Sequence, residues 1–206
     1  AKKGGVALRG ERKARSKPRA LPRIGRPRRS AGALGLCSGD TRNAILALSD
    51  VLKAYPEGYT VNLRLGWLHF NAGNFADSLE RYQKAVKASP YSTEARVGQA
   101  AVLVFQKKWG DAEALLLTVL TIDLYNYYGN LKLSHVLRME KKPDQAEKVA
   151  RKMLSLYPSD VSWLVELGWA RWAQKDLAGA TALFTDVQTL DPENLEAKTY
   201  FTPVSR

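Results

Sequence analysis

Few residues in this 206-residue sequence are of the types that do catalytic or metal chemistry. There are two histidines, His69 and His135, and one cysteine, Cys37. A single cysteine can form neither an internal disulfide nor a cysteine zinc site, and neither histidine has a cysteine near it in the sequence. The sequence contains no glycine-rich phosphate loop and no motif of an activated serine or cysteine nucleophile. We therefore expect a non-catalytic protein with no catalytic residues, no metal and no cofactor.

Positive charge is concentrated near the N-terminus. The sequence has 32 Lys and Arg against 20 Asp and Glu, which gives a net charge of +12. Residues 1–30 hold twelve basic residues and one acid, Glu11, so they carry +11 and leave +1 for residues 31–206. Residues 1–39 contain no aromatic residue and few large apolar ones. Because such a segment buries too little apolar surface to offset the entropy of ordering, we expect a disordered basic tail.

Several roles fit this tail. Its charge density favours electrostatic attachment to nucleic acid or an anionic membrane through residues 1–30, although it offers no aromatic ring to stack on bases. Its arginine-rich, acid-poor composition is also typical of a cleaved targeting segment, and a start assigned upstream of the true one would look the same. No stretch of the sequence approaches the roughly 18 apolar residues of a membrane span, and no convincing signal peptide is present, which favours a cytoplasmic protein.

The remainder of the chain repeats with a period of 34 residues. Residues 59–194 align as four rows without a gap, and the rows begin at Tyr59, Thr93, Tyr127 and Val161. Repeat position 20 is small in every row, repeat position 24 is apolar, and repeat position 32 is proline in three rows. These positions hold Ser78, Ala112, Ala146 and Ala180; Tyr82, Leu116, Ala150 and Phe184; and Pro90, Leu124, Pro158 and Pro192. The regularity indicates a repeat architecture.

Each row predicts two helices joined by a short turn. Two stretches of apolar periodicity in each row have the spacing of amphipathic helices. In the turns between them, Gly73 can adopt the left-handed conformation that ends a helix, and Pro143 suits the first turn of the next helix. Small residues at repeat positions 8 and 20 allow the two helices to approach closely, and the proline at position 32 stops the second helix. We therefore expect an all-α fold.

This pattern resembles the tetratricopeptide repeat, a 34-residue helix–turn–helix motif with small residues at these positions and a closing proline. The resemblance implies an alpha-alpha superhelix, a solenoid with a concave and a convex face, over residues 40–206. We expect a partial unit at 41–58, full units at 59–92, 93–126, 127–160 and 161–194, and a terminal capping helix at 195–202. Row two lacks the proline, because Leu124 stands there, so we expect its junction with row three to pack differently or to run on more continuously.

Tetratricopeptide proteins generally act as interaction scaffolds, and the first helix of each unit lines their concave groove. The resemblance therefore implies a scaffold or adaptor that binds a protein or peptide with apolar anchor residues. The groove positions of the family are repeat positions 2, 5, 9, 12 and 13, which in row two hold Glu94, Val97, Ala101, Val104 and Phe105. Among the residues transferred in this way, those expected to contact a partner are Leu63, Trp67, Phe70, Asn71, Val104, Phe105, Tyr128, His135, Arg138, Trp169 and Trp172. Tryptophan, tyrosine and arginine are frequent at binding hot spots. The same aromatics could instead pack within the solenoid, Trp67 against row two and Trp169 against the terminal helix.

Other partners follow from the same resemblance. Some tetratricopeptide domains hold the C-terminal carboxylate of chaperones in a clamp of polar groove residues. From row one, the clamp positions read Leu63, Trp67, Gly98, Tyr128 and Lys132, of which only Lys132 fits, so we do not expect this partner. The main alternative to groove binding is a repeat module anchored to nucleic acid or an anionic membrane by its basic tail. A further alternative is self-association of the terminal repeats, involving Tyr200 and Phe201.

Overall fold

The computed structural model describes residues 38–202, with side chains described from residue 41. The expected basic tail, residues 1–39, lies almost entirely outside the described residues. The described part of the chain contains ten α-helices and no strand. They are α1 (Ser38–Ala54), α2 (Tyr59–Asn71), α3 (Phe75–Ala88), α4 (Thr93–Phe105), α5 (Trp109–Ile122), α6 (Tyr127–Met139), α7 (Pro143–Leu154), α8 (Val161–Ala173), α9 (Leu177–Leu190) and α10 (Leu195–Phe201). The predicted all-α solenoid of helix pairs is confirmed.

The first helix of each full unit begins at the first residue of its row, for a local reason. The residue before three of these helices is a side-chain cap: Ser92 accepts a hydrogen bond from the Ala95 amide, Asn126 from the Gly129 amide and Asp160 from the Ser162 amide. Such caps satisfy amide groups that have no partner inside the helix. The Tyr59 hydroxyl lies 2.9 Å from Ser92 Oγ, and the Tyr127 hydroxyl donates to the Asp160 carboxylate at 3.0 Å. Each of these two units is thereby joined to the cap of the next.

The junction between the second and third units does not run on continuously. Helix α5 ends at Ile122 and α6 begins at Tyr127, at the same repeat positions as the end of α3 and the start of α4. In place of the missing proline, the Asp123 carboxylate accepts from the Tyr125 amide at 3.2 Å and from Asn126 Nδ2 at 3.1 Å. Of the two alternatives expected for this junction, the more continuous one is wrong, because Asp123 and Asn126 make a turn here without proline.

The core lies between the two helices of each unit and the first helix of the next. Residues at repeat positions 20, 24 and 27 are buried in all four full units. Ser78 donates to the Gly66 carbonyl at 2.7 Å, so the small residues at positions 20 and 8 meet, as predicted. A Cβ built on Gly66 would lie 2.8 Å from the Tyr82 ring, and one built on Gly98 would lie 2.4 Å from it. These two glycines make room for the ring between neighbouring units.

The turn inside each unit has the same backbone conformation in every row. Repeat position 15 has a positive φ in all four rows, at Gly73 (+78°), Lys107 (+58°), Lys141 (+60°) and Lys175 (+66°). The amide of the next residue reaches back to a carbonyl five residues earlier, for example from Lys108 to Leu103 at 2.9 Å. This is the hydrogen bond of a Schellman motif, whose left-handed residue is usually glycine. Three units therefore place a lysine where the first unit has glycine.

Replacing Lys107 with glycine is expected to raise the free energy of unfolding by about 0.5–1 kcal/mol, because glycine has no Cβ to clash in the left-handed conformation. Urea denaturation followed by circular dichroism measures the change. Lys148→Gly is the matched control, since Lys148 is exposed within α7 and glycine inside a helix costs about 1 kcal/mol. Equal destabilisation by both substitutions would contradict the explanation.

Candidate functional site

The first helices of successive units line one continuous surface. Helix α2 contacts α4, α4 contacts α6 and α6 contacts α8, whereas successive second helices do not pack on one another to a comparable extent. Since the first helices are the closer set, they form the inner, concave side of the solenoid. All eleven groove residues predicted from the sequence lie on α2, α4, α6 and α8. We call this surface the groove.

A cavity opens in the groove between α2, α4 and α6. Its volume is about 470 Å³, within the range of about 300–1,000 Å³ typical of ligand sites. Trp67, Phe70, Asn71 and Tyr128, predicted from the sequence, line it together with Leu63. Glu94, Val97 and Ala101, from the groove positions of row two, also line it, as do Gly98 and Lys132 from the clamp positions. Arg64 and Tyr82, which the sequence reasoning did not place there, complete the lining. We call this space the α2–α4–α6 cavity.

The predicted residues on α2 and α4 differ in exposure. Leu63 is buried and packs with Tyr82 in the core, so it forms the floor of the cavity. Val104 is half-buried against the core under α5 and α6. Phe70 and Phe105 lie edge-to-face at 6.2 Å, and Phe75 packs on Phe105 at 4.3 Å. Trp67 is largely exposed, and among the described residues no aromatic ring packs on it and its indole N–H has no acceptor.

The groove between α6 and α8 is crossed by an ion pair. Arg138 Nε donates to Glu166 Oε2 at 3.1 Å, and an Arg138 terminal nitrogen donates to Glu166 Oε1 at 3.3 Å. The two side chains are only 12% and 11% exposed. Two parallel hydrogen bonds from one guanidinium to one carboxylate hold both side chains in place. Arg138 is therefore engaged within the solenoid as well as lying on the groove.

The two histidines occupy different environments. His135 Nδ1 lies 3.2 Å from an Arg138 terminal nitrogen, and its ring is edge-to-face with Trp109 at 6.1 Å. Burial lowers the pKa of His135, an effect partly offset by the charge of Glu166. His69, which the sequence places on the inward side of α2, is half-buried, and burial likewise lowers its pKa against the attraction of Asp77. Both pKa directions favour the neutral imidazole.

Trp169 is enclosed by the last helix, as one of the sequence hypotheses anticipated. Its indole N–H donates to Glu196 Oε2 at 3.0 Å, and its ring lies 6.1 Å from Tyr200 and 5.0 Å from Phe184. Trp172 lies beside it at 5.8 Å and is about half exposed. Tyr200 stacks on Phe184, so of the two residues expected at a self-association surface it is the more enclosed. The Phe201 side chain remains exposed.

Sequence reasoning missed Glu166 as the partner of Arg138 and missed Arg64 among the charged residues around the α2–α4–α6 cavity. Arg64, Lys132 and Glu166 all occupy repeat position 6. The side chain at this position is exposed in Arg64, half-buried in Lys132 and buried in Glu166. A charged residue at this position in three rows was the available signal. Gly98 occupies the same position in row two and lines the α2–α4–α6 cavity together with Arg64 and Lys132.

The described residues lack two further kinds of feature. No group of three or more His, Cys, Asp or Glu side chains in the described part of the chain is placed to hold a metal ion. None of the helices formed by the described residues has both the length and the apolar character needed to cross a membrane.

Comparison with known proteins gives one family and one fold. A tetratricopeptide repeat family model matches residues 37–93, 63–126 and 131–194. The structure of MamA is 22% identical, with 75% of this chain and 91% of that chain covered and a TM-score of 0.66. TTC0263 of Thermus thermophilus is 15% identical, with 79% and 90% covered and a TM-score of 0.65. YrrB, described as a tetratricopeptide protein with an unusual peptide-binding site, is 19% identical, with 75% and 79% covered and a TM-score of 0.62. No curated protein matches the chain significantly.

Proposed function

The chain belongs to the tetratricopeptide repeat family, and on this premise we propose that it is a non-catalytic scaffold whose groove binds a protein or peptide partner. The fold is typical of protein–protein interaction scaffolds. One structural neighbour, YrrB, is described as having a peptide-binding site, which supports the same class of function. We propose no catalytic activity for this chain.

The observation that carries the proposal is the exposure of tryptophan on the groove. Trp67 and Trp172 are 53% and 52% exposed, although tryptophan has a large apolar ring. Exposed aromatic side chains on a concave surface are typical of binding hot spots, because their burial by a partner releases much apolar surface from water. The remaining predicted contacts are Leu63, Phe70, Asn71, Val104, Phe105, Tyr128, His135, Arg138 and Trp169. Leu63 is buried in the core, Arg138 is paired with Glu166, and Trp169 is held by Glu196.

The test uses the full chain as bait for a library of randomised peptides, at low and at high salt. The variant Trp67→Ala/Trp172→Ala is expected to weaken binding of the selected peptides at least about tenfold. Tyr55→Ala/Tyr91→Ala is the matched control, because these tyrosines are 67% and 83% exposed at the turns between units, away from the groove. Fluorescence anisotropy of the labelled peptide gives both dissociation constants. Equal binding by both double variants would contradict the proposal.

The basic tail supports a second candidate function. The charge of +11 on residues 1–30 favours attachment to nucleic acid or an anionic membrane. Such attachment weakens steeply as salt rises, whereas capture by an apolar groove changes little. If the full chain captures only duplex DNA or anionic vesicles, only at low salt, and regardless of the two tryptophans, the anchored module replaces the groove scaffold as the better account.

A further inference from the structure

We propose that the α2–α4–α6 cavity is the part of the groove that selects the partner, and that it takes an internal peptide segment with a bulky apolar side chain next to a carboxylate. This inference rests on the proposed function, since it names where on the groove the ligand lies and what chemistry it carries.

We call the part of the groove between α6 and α10 the far half. Its side chains are engaged in contacts within the protein. Between α6 and α8, the mostly buried pair of Arg138 and Glu166 bridges the two helices. Beyond it, Trp169 is held by Glu196 and lies against Tyr200 of α10. A ligand that inserted between α6 and α8 would have to separate Arg138 from Glu166. Because these side chains are mostly shielded from water, water would not compensate for the lost pair, and insertion is unfavourable. The far half therefore offers a ligand the exposed face of Trp172.

The part of the groove between α2 and α6, which we call the near half, is open to solvent. Trp67 stands on one side of the α2–α4–α6 cavity and Tyr128 on the other, and both side chains are more than half exposed. The floor between them is formed by small or apolar residues of α4, namely Val97, Gly98 and Ala101. Gly98 lies against the Tyr82 ring, which a side chain at that position would meet, and both residues line the cavity. The shape fits a single bulky apolar anchor between two aromatic walls.

The charges around the cavity favour an anionic neighbour to that anchor. Arg64 and Lys132 line it against one carboxylate, Glu94, so the lining carries a net charge of +1. Arg64 is exposed and forms no ion pair with any other described residue. Charge complementarity thus favours an acidic partner segment.

The lining also favours an internal carboxylate over a free C-terminus. A terminal carboxylate needs several converging polar donors, and of the five positions that would supply them only Lys132 fits; the others hold Leu63, Trp67, Gly98 and Tyr128. The Asn71 side chain lies at the edge of the same cavity, but its Nδ2 is buried and so adds no donor for a terminal carboxylate.

The test begins with the peptides that the full chain selects from the randomised library. We expect their consensus to contain an aromatic residue or leucine beside Asp or Glu, and amidation of the peptide C-terminus to leave the dissociation constant unchanged. A consensus that is basic or lacks acidic residues, or a loss of binding on amidation, would overturn the inference. A library that yields no ligand at all counts against the proposed function itself.

Two single variants then separate the halves of the groove. Trp67→Ala is expected to weaken binding of the selected peptide at least about tenfold, and Trp172→Ala is expected to weaken it less than about threefold. The two tryptophans are equally exposed, so they form a matched pair. If Trp172→Ala gives the larger loss, the ligand lies in the far half; the inference is then wrong while the proposed function stands.

A charge exchange tests the acidic preference independently of folding. Arg64→Glu is expected to weaken binding of the acidic peptide about tenfold or more. It is expected to strengthen binding of a second peptide, in which the Asp or Glu of the first is replaced by Lys. Because Arg64 is exposed on α2, its replacement leaves the core contacts in place. Equal weakening of the acidic and the lysine peptide, or no change in either, would contradict the role assigned to Arg64.

Discussion

Replacing Glu166 with alanine is expected to lower the free energy of unfolding by about 3 kcal/mol or more. The substitution leaves the Arg138 guanidinium mostly buried, without the carboxylate that accepts its two hydrogen bonds. Removing one partner of a buried pair costs about 3–5 kcal/mol, because the remaining charge has neither water nor a counter-charge. Urea denaturation monitored by circular dichroism, with the same protein thermally melted as a check, measures the change.

The control for this prediction is an exposed ion pair. Lys53 and Asp50 are 78% and 86% exposed and lie 3.0 Å apart, so Asp50→Ala is expected to change stability by less than about 1 kcal/mol. The double variant Arg138→Met/Glu166→Leu removes both charges and is expected to be close to the wild type in stability. If Glu166→Ala proves no more damaging than Asp50→Ala, the pair contributes nothing to the packing of α6 on α8.

Phe184→Ala is expected to lower the free energy of unfolding by about 3–5 kcal/mol, the usual cost of deleting a buried phenylalanine ring. Phe184 is fully buried at repeat position 24 of the fourth unit, where it stacks on Tyr200 at 4.4 Å and lies edge-to-face with Trp169 at 5.0 Å. Removing the ring therefore weakens the packing of the fourth unit and the contact between that unit and α10. Denaturation in urea measures the loss, and tryptophan fluorescence reports whether Trp169 becomes exposed.

Phe105→Ala is the matched control, because Phe105 is 56% exposed. We expect it to cost less than half as much as Phe184→Ala. A further check comes from row two, which pairs Leu116 with Ala100 where row four pairs Phe184 with Gly168. A Cβ on Gly168 would lie 2.9 Å from the Phe184 ring. Gly168→Ala and Phe184→Leu together should therefore cost less than the sum of the two single changes; strict additivity would show that these positions do not pack as described.

The sequence predicts the helices of this protein well, because each boundary depends on local chemistry. Caps such as Ser92 and Asp160 lie where the row begins, and Pro143 lies in the first turn of α7. The pairing of size at repeat positions 8 and 24, Gly66 with Tyr82 and Gly168 with Phe184, is also evident once the rows are aligned. Leu124 shows the limit of a single marker residue, since Asp123 and Asn126 make the same turn without proline.

The interior of the groove could not be predicted to the same depth. Repeat position fixes which helix face a residue lies on, and it placed all eleven candidate residues on the first helices. It does not fix whether a long side chain crosses to the next helix, as Arg138 does to Glu166, or is covered by the terminal helix, as Trp169 is by α10. Those contacts depend on the distance and rotation between units, which emerge only from packing. The distinction between an open and a filled half therefore came from the structure.

The central claim, that a partner binds on the groove, is tested most directly by hydrogen exchange on the full chain with and without a saturating selected peptide. Amides of the first helices that a ligand covers exchange more slowly when it is bound. We predict slower exchange concentrated in α2, α4 and α6, with little change in α3, α5 and α7. Protection confined to the second helices, or to the turns that carry Tyr55 and Tyr91, would contradict the account.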